Sequence, residues 1–333
     1  MPDTYVAVRL GSLGDVVLTT GVLLAWHKRL GSKFIFLTKP AFAPVFFHHP
    51  AVEEIIKIPD KALNARRWIN FCRGLALEMG HLELIDLHCS LRTTVLKAVW
   101  PARVHPYRKL ALYRRAFRVS GKRFFQKKLL EADVPARYYR ALLPLPHHAL
   151  NLKPSLYFSP GEKLEAQKIL SDICGKQPVL ALHPYATHPA KAWPAENWLA
   201  LIRLLETRQI SWVIIGSSQR PLMPGSPRDL TSKTDIRRTC ALLSCCSALI
   251  TADSGPMHLA RAVDTPVLAM FGPTTREWGF YPTGKENIIL EKEMPCRPCS
   301  LHGRTHGHCA ASCMSSISPE QVLAGIEEII NFR

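Results

Sequence analysis

The most informative segment of this chain is Ile250-Thr-Ala-Asp253-Ser254-Gly255-Pro-Met-His258-Leu-Ala260. An apolar strand over 248–252 stops at a turn and opens directly into a helix. The turn supplies backbone N–H groups, a carboxylate and a hydroxyl at a helix N-terminus. This chemistry suits a diphosphate group. The same residue types also cap helices in proteins that bind nothing at that position.

Strand and helix patterns alternate on both sides of this stretch. We predict strands over 5–10, 33–38, 54–58, 83–87, 178–182, 212–216, 248–252 and 266–271. We predict helices over 16–30, 61–79, 91–100, 162–173, 196–207, 236–245, 255–263 and 319–330. Such alternation predicts an α/β fold with parallel sheets covered by helices on both faces. In these folds ligands bind at the carboxyl ends of the strands.

The length of 333 residues is typical of two domains. Prolines and polar residues between 144 and 162 mark a linker. We therefore predict Rossmann-like domains over 1–155 and 156–333, and leave open that the final helix packs back onto the first domain. No apolar run approaches the roughly 20 residues of a membrane span. The N-terminus lacks the pattern of a signal peptide, so we expect a cytoplasmic protein.

The positive charge of the chain is concentrated in one stretch. The net charge is +17, and residues 92–140 hold 14 Lys or Arg against the two acids Glu131 and Asp133. Such a field attracts nucleic acid, an acidic membrane face or a phosphorylated substrate. Within it, residues 107–140 show no clear period, and we interpret them as helices or as a mobile loop.

A glycine-containing loop follows the first predicted strand, Arg9-Leu-Gly11-Ser12-Leu-Gly14-Asp15. The glycines allow a ligand to approach the backbone, and Asp15 begins the next helix, whose dipole stabilises an ionised carboxylate. An ionised Asp can act as general base toward a sugar hydroxyl. Helix capping is the alternative, and the loop lacks the full G-x-G-x-x-G dinucleotide pattern.

Two further loops follow strands of the second half. In His183-Pro-Tyr-Ala-Thr187-His-Pro-Ala-Lys191, the lysine can neutralise a phosphate and the threonine can add a hydroxyl. Phe271-Gly272-Pro-Thr-Thr275 again leaves backbone N–H groups and hydroxyls at a strand end. An exposed loop lysine and an ordinary Gly-Pro turn are the alternatives.

Four of the ten cysteines crowd together near the C-terminus as Cys296-x2-Cys299-x9-Cys309-x3-Cys313, with His302, His306 and His308 between them. Thiolates and imidazoles suit a structural zinc ion, although the spacing is not that of a standard finger. Thiols of a surface loop are the alternative.

In their order along the chain, these segments resemble the lipopolysaccharide heptosyltransferase family, glycosyltransferase family 9, over essentially the whole length. The strongest likeness is Asp253-Ser-Gly-Pro-Met-His258-Leu-Ala. Further matches are the turn at 9–15, Lys191-Ala-Trp193-Pro-Ala-Glu-Asn-Trp198, and Phe-Gly-Pro-Thr over 271–274. The cysteine cluster is more like that of the enzymes that add the second heptose.

The resemblance implies a GT-B architecture, in which two Rossmann-like domains face each other across a cleft. It implies transfer of heptose from ADP-heptose to the lipopolysaccharide inner core by an inverting displacement, with no cofactor required for catalysis. The N-terminal domain would bind an acidic glycolipid acceptor at the cytoplasmic face of the inner membrane, as a peripheral protein. No nucleic acid partner is expected.

The family pattern also implies roles for individual residues. Asp15 would be the catalytic base. The implied donor-binding residues are Thr187, Lys191, Asp253, Ser254, Gly255, His258 and Gly272. The implied acceptor-binding residues are Arg9, Ser12, Gly14, Arg92, Arg114, Arg115 and Arg118.

One segment departs from the family pattern. After strand 212–216, Ser217-Ser218-Gln219 stands where family members often carry an acid that reaches the donor ribose. The nucleotide and the sugar therefore stay open. The alternatives are a GT-B transferase of another nucleotide sugar, a sugar-nucleotide epimerase, a nucleic-acid-binding protein with a Cys/His metal knuckle, and an inactive assembly protein that keeps the fold.

Overall fold

The computed structural model describes residues 2–146, 150–175, 178–301, 303 and 312–331. The chain divides into two compact units. The first unit comprises Met1–Leu110 and Ala132–Tyr157, and the second comprises Ala111–Glu131 and Phe158–Arg333. The break after Tyr157 lies near the predicted boundary, but residues 111–131 group with the second unit although they lie within the predicted first domain.

Each unit is built on a parallel sheet. The strands are β1 Thr4–Val8, β2 Lys33–Thr38, β3 Val52–Lys57, β4 Glu83–Asp86, β5 Val104–Pro106, β6 Val179–His183, β7 Ser211–Ile214, β8 Ala248–Ala252, β9 Val267–Phe271 and β10 Ile288–Glu291. The strand orders are β3-β2-β1-β4-β5 and β10-β9-β8-β6-β7. The predicted fold class, two parallel α/β sheets with helices, is confirmed.

Helices connect the strands and cover the sheets. They are α1 Leu13–Leu30, α2 Ala65–Met79, α3 Leu91–Val99, α4 Ala111–Ser120, α5 Arg123–Leu130, α6 Val134–Tyr139, α7 Pro160–Cys174, α8 Ala195–Thr207, α9 Ile236–Ser244, α10 Gly255–Ala262, α11 Ser312–Ser315 and α12 Pro319–Asn331. Short 3-10 turns occur at Pro40–Phe46, Asp60–Leu63, Pro189–Lys191 and Arg276–Trp278. Among the described residues, no helix has the length and apolar character needed to span a membrane.

The strand order indicates where a ligand would bind in each unit. In the first sheet the winding reverses between β1 and β4, and in the second between β6 and β8. Loops that leave neighbouring strands in opposite directions open a crevice at such a switch point, which is where ligands bind in doubly wound sheets. The loops that the sequence singled out follow β1, β6, β8 and β9.

Two points that the sequence left open are answered by the structure. The stretch 107–140 was interpreted as helices or a mobile loop, and it contains the helices α4, α5 and α6. The final helix packs within the second unit: Val322, Ile326 and Ile329 are buried with Trp198 of α8 in its core. Burial of this apolar face explains why the helix stays on its own sheet.

Candidate active site

The carboxylate of Asp15 is held by three side chains in the first unit. Arg9 Nη2 lies 2.6 Å from Oδ2, Ser12 Oγ donates to the same oxygen at 3.0 Å, and Tyr138 Oη donates to Oδ1 at 2.9 Å. Asp15 lies in the first turn of α1, so the helix dipole also favours its negative charge. The carboxylate is thereby fixed in one orientation.

Two of the partners of Asp15, Arg9 and Tyr138, are buried. Arg9 Nη1 also donates to the carbonyl oxygen of Leu87 after β4 at 2.7 Å. Burial raises the pKa of Tyr138 far above its usual value, so the phenol stays protonated and acts as a donor. Tyr138 was not among the predicted site residues, because it lies more than a hundred residues from Asp15, in the stretch that showed no period.

His88 lies in the loop after β4, where the charges of Arg9 and Asp15 act on it. Burial, followed by the charges of Arg9 and Lys109, lowers its pKa to about 4, so the ring is neutral at pH 7. Its backbone N–H donates to Asp86 Oδ1 at 2.9 Å. A neutral ring here adds no positive charge beside Arg9. The sequence carried no signal for this position other than its place at a strand end.

A second carboxylate–cation pair occupies the switch point of the second unit. Lys191 Nζ donates to Asp253 Oδ2 at 2.5 Å, and Thr274 Oγ1 donates to the same oxygen at 2.7 Å. The three residues come from the loops after β6, β8 and β9. The structure therefore brings together three separate strand-end loops, and it adds Thr274 to the predicted set.

A buried network positions the hydroxyl of Ser254. His183 Nδ1 lies 3.0 Å from Thr251 Oγ1 and 3.3 Å from Ser254 Oγ. Burial lowers the pKa of His183 to about 4, so this ring is neutral as well. Ser254 is the N-cap residue of α10, but its side chain makes no capping hydrogen bond. The first turn of α10 therefore keeps N–H groups that can bind an anion.

Arg297 and Gly303, which follow β10, contact the loops of this site. Arg297 Nε donates to the carbonyl oxygen of Gly272 at 2.6 Å, and Nη2 donates to that of Thr274 at 3.2 Å. A Cβ atom at Gly303 would lie 2.5 Å from Lys191 Cε. Any side chain at position 303 would thus displace the lysine. No sequence pattern distinguished Arg297 or Gly303 from other loop residues.

The model of glycosyltransferase family 9 (heptosyltransferase) matches residues 139–309, which is more than half of the chain. This chain belongs to glycosyltransferase family 9. The predicted family is confirmed, and with it the class, a glycosyltransferase.

Individual members of family 9 are similar to the chain over different lengths. A lipooligosaccharide heptosyltransferase 2 of Haemophilus influenzae is 27% identical over 61% of this chain, which spans 62% of that relative. The crystal structure of a family 9 transferase from Veillonella parvula has a TM-score of 0.77 at 20% identity, covering 99% of this chain and 98% of the other. The structure of E. coli ADP-heptose lps heptosyltransferase II has a TM-score of 0.71 at 19% identity, covering 98% of each.

The remaining donor-binding predictions fall at the same switch point with different accessibility. Thr187 is exposed, whereas Gly255 is partly exposed. His258 is buried, and its ring lies 6.3 Å from that of Phe280. Gly272 is buried beneath Met314, whose Sδ would lie 2.7 Å from an added Cβ. Their contacts with a donor stay predictions.

The predicted acceptor-binding residues are divided between the units. Arg9, Ser12, Gly14 and Arg92 lie in the first unit. Arg114, Arg115 and Arg118 lie on α4, in the second unit. Arg114 Nη2 donates to the carbonyl oxygen of Trp278 at 3.2 Å, which ties it to its own unit. Arg115 is exposed. Their contacts with an acceptor stay predictions.

The candidate zinc site is not supported. Cys313 is buried in the core of the second unit, whereas Cys296 is exposed and Cys299 is half-buried. Among the described residues, no three His, Cys, Asp or Glu side chains are placed to share a metal ion. Cys313 belongs to the hydrophobic core of the second unit, and its Sγ would lie 3.1 Å from a Cβ added at Gly272. Cys309, His302, His306 and His308 lie outside the described residues.

Proposed function

We propose that this protein transfers heptose from ADP-heptose to an acidic glycolipid of the lipopolysaccharide inner core. The observation that carries the proposal is the Lys191–Asp253 pair beside the N-terminus of α10, which offers a cation, a carboxylate and backbone N–H groups at one switch point. Membership of family 9 and similarity to a lipooligosaccharide heptosyltransferase 2 and to an ADP-heptose lps heptosyltransferase II support the sugar and the nucleotide.

The diphosphate of the donor would bind at the N-terminus of α10. Lys191 would exchange its bond to Asp253 for a bond to a phosphate oxygen, because the phosphates carry more charge than one carboxylate. The Ser254 hydroxyl, positioned by His183, would donate to another phosphate oxygen. The same groups would stabilise the charge that develops on the departing ADP.

Asp253 would then face the sugar. Once Lys191 turns to the diphosphate, the carboxylate can accept hydrogen bonds from sugar hydroxyls while Thr274 still donates to it. Hydrogen bonds to a charged acceptor contribute about 1.5–3 kcal/mol each. This contact would distinguish the nucleotide sugar from the nucleotide alone.

Asp15 would act as the general base. As the acceptor oxygen attacks the anomeric carbon, Asp15 takes the hydroxyl proton, the new glycosidic bond forms, and the bond from the anomeric carbon to the phosphate oxygen breaks. ADP leaves with the electron pair, and a single displacement inverts the anomeric centre. Arg9, Ser12 and Tyr138 would hold the carboxylate in place during the transfer.

The acceptor would be an acidic glycolipid at the cytoplasmic face of the inner membrane. Phosphates and carboxylates on such a lipid complement the +17 charge of the chain. This localisation rests on the same resemblance as the substrate.

The nucleotide base is the least constrained part of the donor. Ser217-Ser218-Gln219 offers no acid after β7. The nearby carboxylate of Asp229 is buried and accepts from the backbone N–H groups of Met223 at 2.9 Å and Thr231 at 2.9 Å. Asp229 thus holds its own loop, and ribose would be bound by hydroxyls and backbone.

Nucleotide binding and heptose transfer are tested separately. ADP, UDP, GDP and CMP are screened for a rise in melting temperature without added metal, since a ligand of the folded state raises it. We expect a rise with ADP that Lys191→Ala removes. ADP-heptose and a Kdo-bearing lipid A acceptor should then yield a heptosylated product.

Either experiment can contradict the proposal. A rise with UDP or GDP alone would keep a transferase and exclude ADP-heptose. If no nucleotide raised the melting temperature, the proposal that Lys191 and the N-terminus of α10 bind a nucleotide would be contradicted. An epimerase would instead convert a nucleotide sugar without an acceptor.

A further inference from the structure

The helical hairpin formed by α4 and α5 has an outer face on which Arg115 is the one residue also predicted to bind the acceptor. This hairpin face consists of the exposed side chains Leu112, Arg115, Val119, Lys122, Arg123, Phe124, Lys127 and Leu130. We propose that the hairpin face docks on the anionic lipid surface of a bilayer. The proposal takes from the proposed function only the expectation that the substrate is a lipid.

The opposite side of the hairpin is anchored to the second unit. Phe117 is buried edge-on against Trp278, with ring centroids 6.3 Å apart. On α5, Gln126 donates to Glu277 at 2.7 Å, and Leu129 is buried. Because these contacts fix the inner side, the orientation of the outer side is also fixed.

The outer side is unusually apolar for an exposed surface. Leu112 is 76% exposed, Val119 is 80% exposed and Phe124 is 69% exposed. Leu112, Arg115 and Val119 follow helical spacing along one face of α4. Arg123, Phe124, Lys127 and Leu130 do the same on α5. Apolar side chains therefore protrude from both helices on the side that carries the basic residues.

The basic residues on the hairpin are almost unopposed. Residues 111–131 contain seven Lys or Arg and one acid, Glu131, whose carboxylate lies 2.7 Å from Lys128 Nζ. A groove of about 510 Å³ runs along α5, lined by Arg123, Gln126, Lys127, Leu130 and Glu131. The lining holds two cations and an apolar side chain against one acid, Glu131, so a net positive charge lies beside an apolar side chain, as the headgroup and acyl boundary of an anionic lipid require.

The combination of charge and apolar side chains selects the occupant. Exposed Leu and Val offer nothing to a phosphodiester backbone, whereas a bilayer interface receives both aliphatic side chains and cations. A contrasting surface occurs on α7, where Leu164 is also 68% exposed. There the exposed Lys163 and Lys168 alternate with Glu165 and Asp172, so no unopposed positive face forms.

The experiment measures flotation of the purified full chain with phosphatidylcholine vesicles, with and without phosphatidylglycerol. No nucleotide or acceptor is present, so the result is independent of the proposed transfer. The apolar variant combines Leu112→Ser, Val119→Ser and Phe124→Ser. The charge variant combines Lys122→Gln, Arg123→Gln and Lys127→Gln. The matched control on α7 combines Lys163→Gln, Leu164→Ser and Lys168→Gln.

We expect the wild type and the α7 control to float with phosphatidylglycerol vesicles and not with phosphatidylcholine alone. Loss of three cations should weaken this binding by roughly 100-fold. At high salt, where charge attraction is screened, the wild type should keep the part of its binding that comes from apolar side chains. The apolar variant should lose that part. Unchanged melting temperatures of all variants would show that the surface changes leave the fold intact.

Three outcomes would overturn the proposal. They are equal binding of the wild type to both vesicle types, hairpin variants that float like the α7 control, and tighter binding to duplex DNA than to phosphatidylglycerol vesicles. If the wild type did not bind ADP in a separate assay, the proposed function would be overturned, but the vesicle-binding result would stand.

Discussion

The two units each place a carboxylate beside a cation at the switch point of a parallel sheet, but the two pairs are built differently. In the first unit the side chain of Arg9 is 6% exposed, and it also donates to the carbonyl oxygen of Leu87. In the second unit the side chain of Lys191 is 16% exposed, and Asp253 is its one hydrogen-bond partner within the described part of the chain.

This difference separates a fixed pair from an exchangeable one. The planar guanidinium of Arg9 donates to two acceptors, so it cannot move without breaking both bonds. The flexible side chain of Lys191 can turn to another anion without leaving a second acceptor unpaired. The first arrangement suits a base that must keep one orientation through a reaction. The second suits a phosphate site that is filled and emptied in each cycle.

The largest expected effect is that of Asp15→Asn. An amide cannot take the acceptor proton, so the turnover of ADP-heptose with acceptor should fall by about 10²–10⁴-fold. The rise in melting temperature with ADP should persist, because the donor groups lie in the other unit. Activity within a few-fold of the wild type would contradict the assignment of Asp15 as base.

Asp253→Asn tests the exchangeable pair. Loss of the carboxylate frees Lys191 from its partner, so ADP should bind at least as tightly as in the wild type by calorimetry. Transfer from ADP-heptose should fall by about 10- to 100-fold, because bonds from sugar hydroxyls to a charged acceptor are lost. Loss of ADP binding in this variant would show that Asp253 holds the nucleotide.

Each pair has a neutral histidine near it, His88 in the first unit and the buried His183 in the second, and both should make stability depend on pH. The pKa of His183 is lowered to about 4 by burial, so the folded state disfavours the proton. Above pH 6.5 the ring is neutral in both the folded and the unfolded state. As the pH falls from 6.5 toward 4 the unfolded state binds the proton first, so the free energy of unfolding falls by on the order of 3 kcal/mol. His88 adds a similar dependence in the first unit.

His183→Asn should therefore flatten the decline of melting temperature between pH 6.5 and 4. The exposed His81 provides the control, since His81→Asn should leave the curve of the wild type unchanged. An identical decline in all three proteins would mean that His183 is accessible to protons in the folded state.

Tyr138→Phe gives the smallest effect and tests how the fixed pair is held. The substitution removes one donor to Asp15, and kcat/KM should fall by about ten-fold or less. The acidic limb of the pH profile should move to higher pH, because a carboxylate with one hydrogen bond fewer is a stronger base. A lower rate with an unmoved profile would indicate a packing role alone.

Much of the architecture could be predicted from the sequence because local patterns determine it. Strand 248–252 and its helix follow from an apolar run ending at Asp253-Ser-Gly, and the structure places them at Ala248–Ala252 and Gly255–Ala262. The short edge strands β5 and β10 were missed because three or four partly buried residues leave little periodic signal.

The donor and base loops could be located for the same reason, whereas their supporting residues could not. Tyr138 and Arg297 act through contacts across long sequence separations, which no local pattern records. The loop of Thr274 was located, but its bond to Asp253 could not be predicted. The assignment of residues 111–131 to the second unit depends on Phe117 and Gln126 reaching Trp278 and Glu277. Their residue types alone did not reveal it.

Titration calorimetry of ADP into the wild type, Asp15→Asn and Lys191→Ala tests the division of labour between the two pairs most directly. We predict that Asp15→Asn binds ADP as the wild type does. Lys191→Ala should bind at least about ten-fold more weakly, since one charge-assisted bond to a phosphate is lost. Wild-type affinity in Lys191→Ala, or lost affinity in Asp15→Asn, would contradict the account.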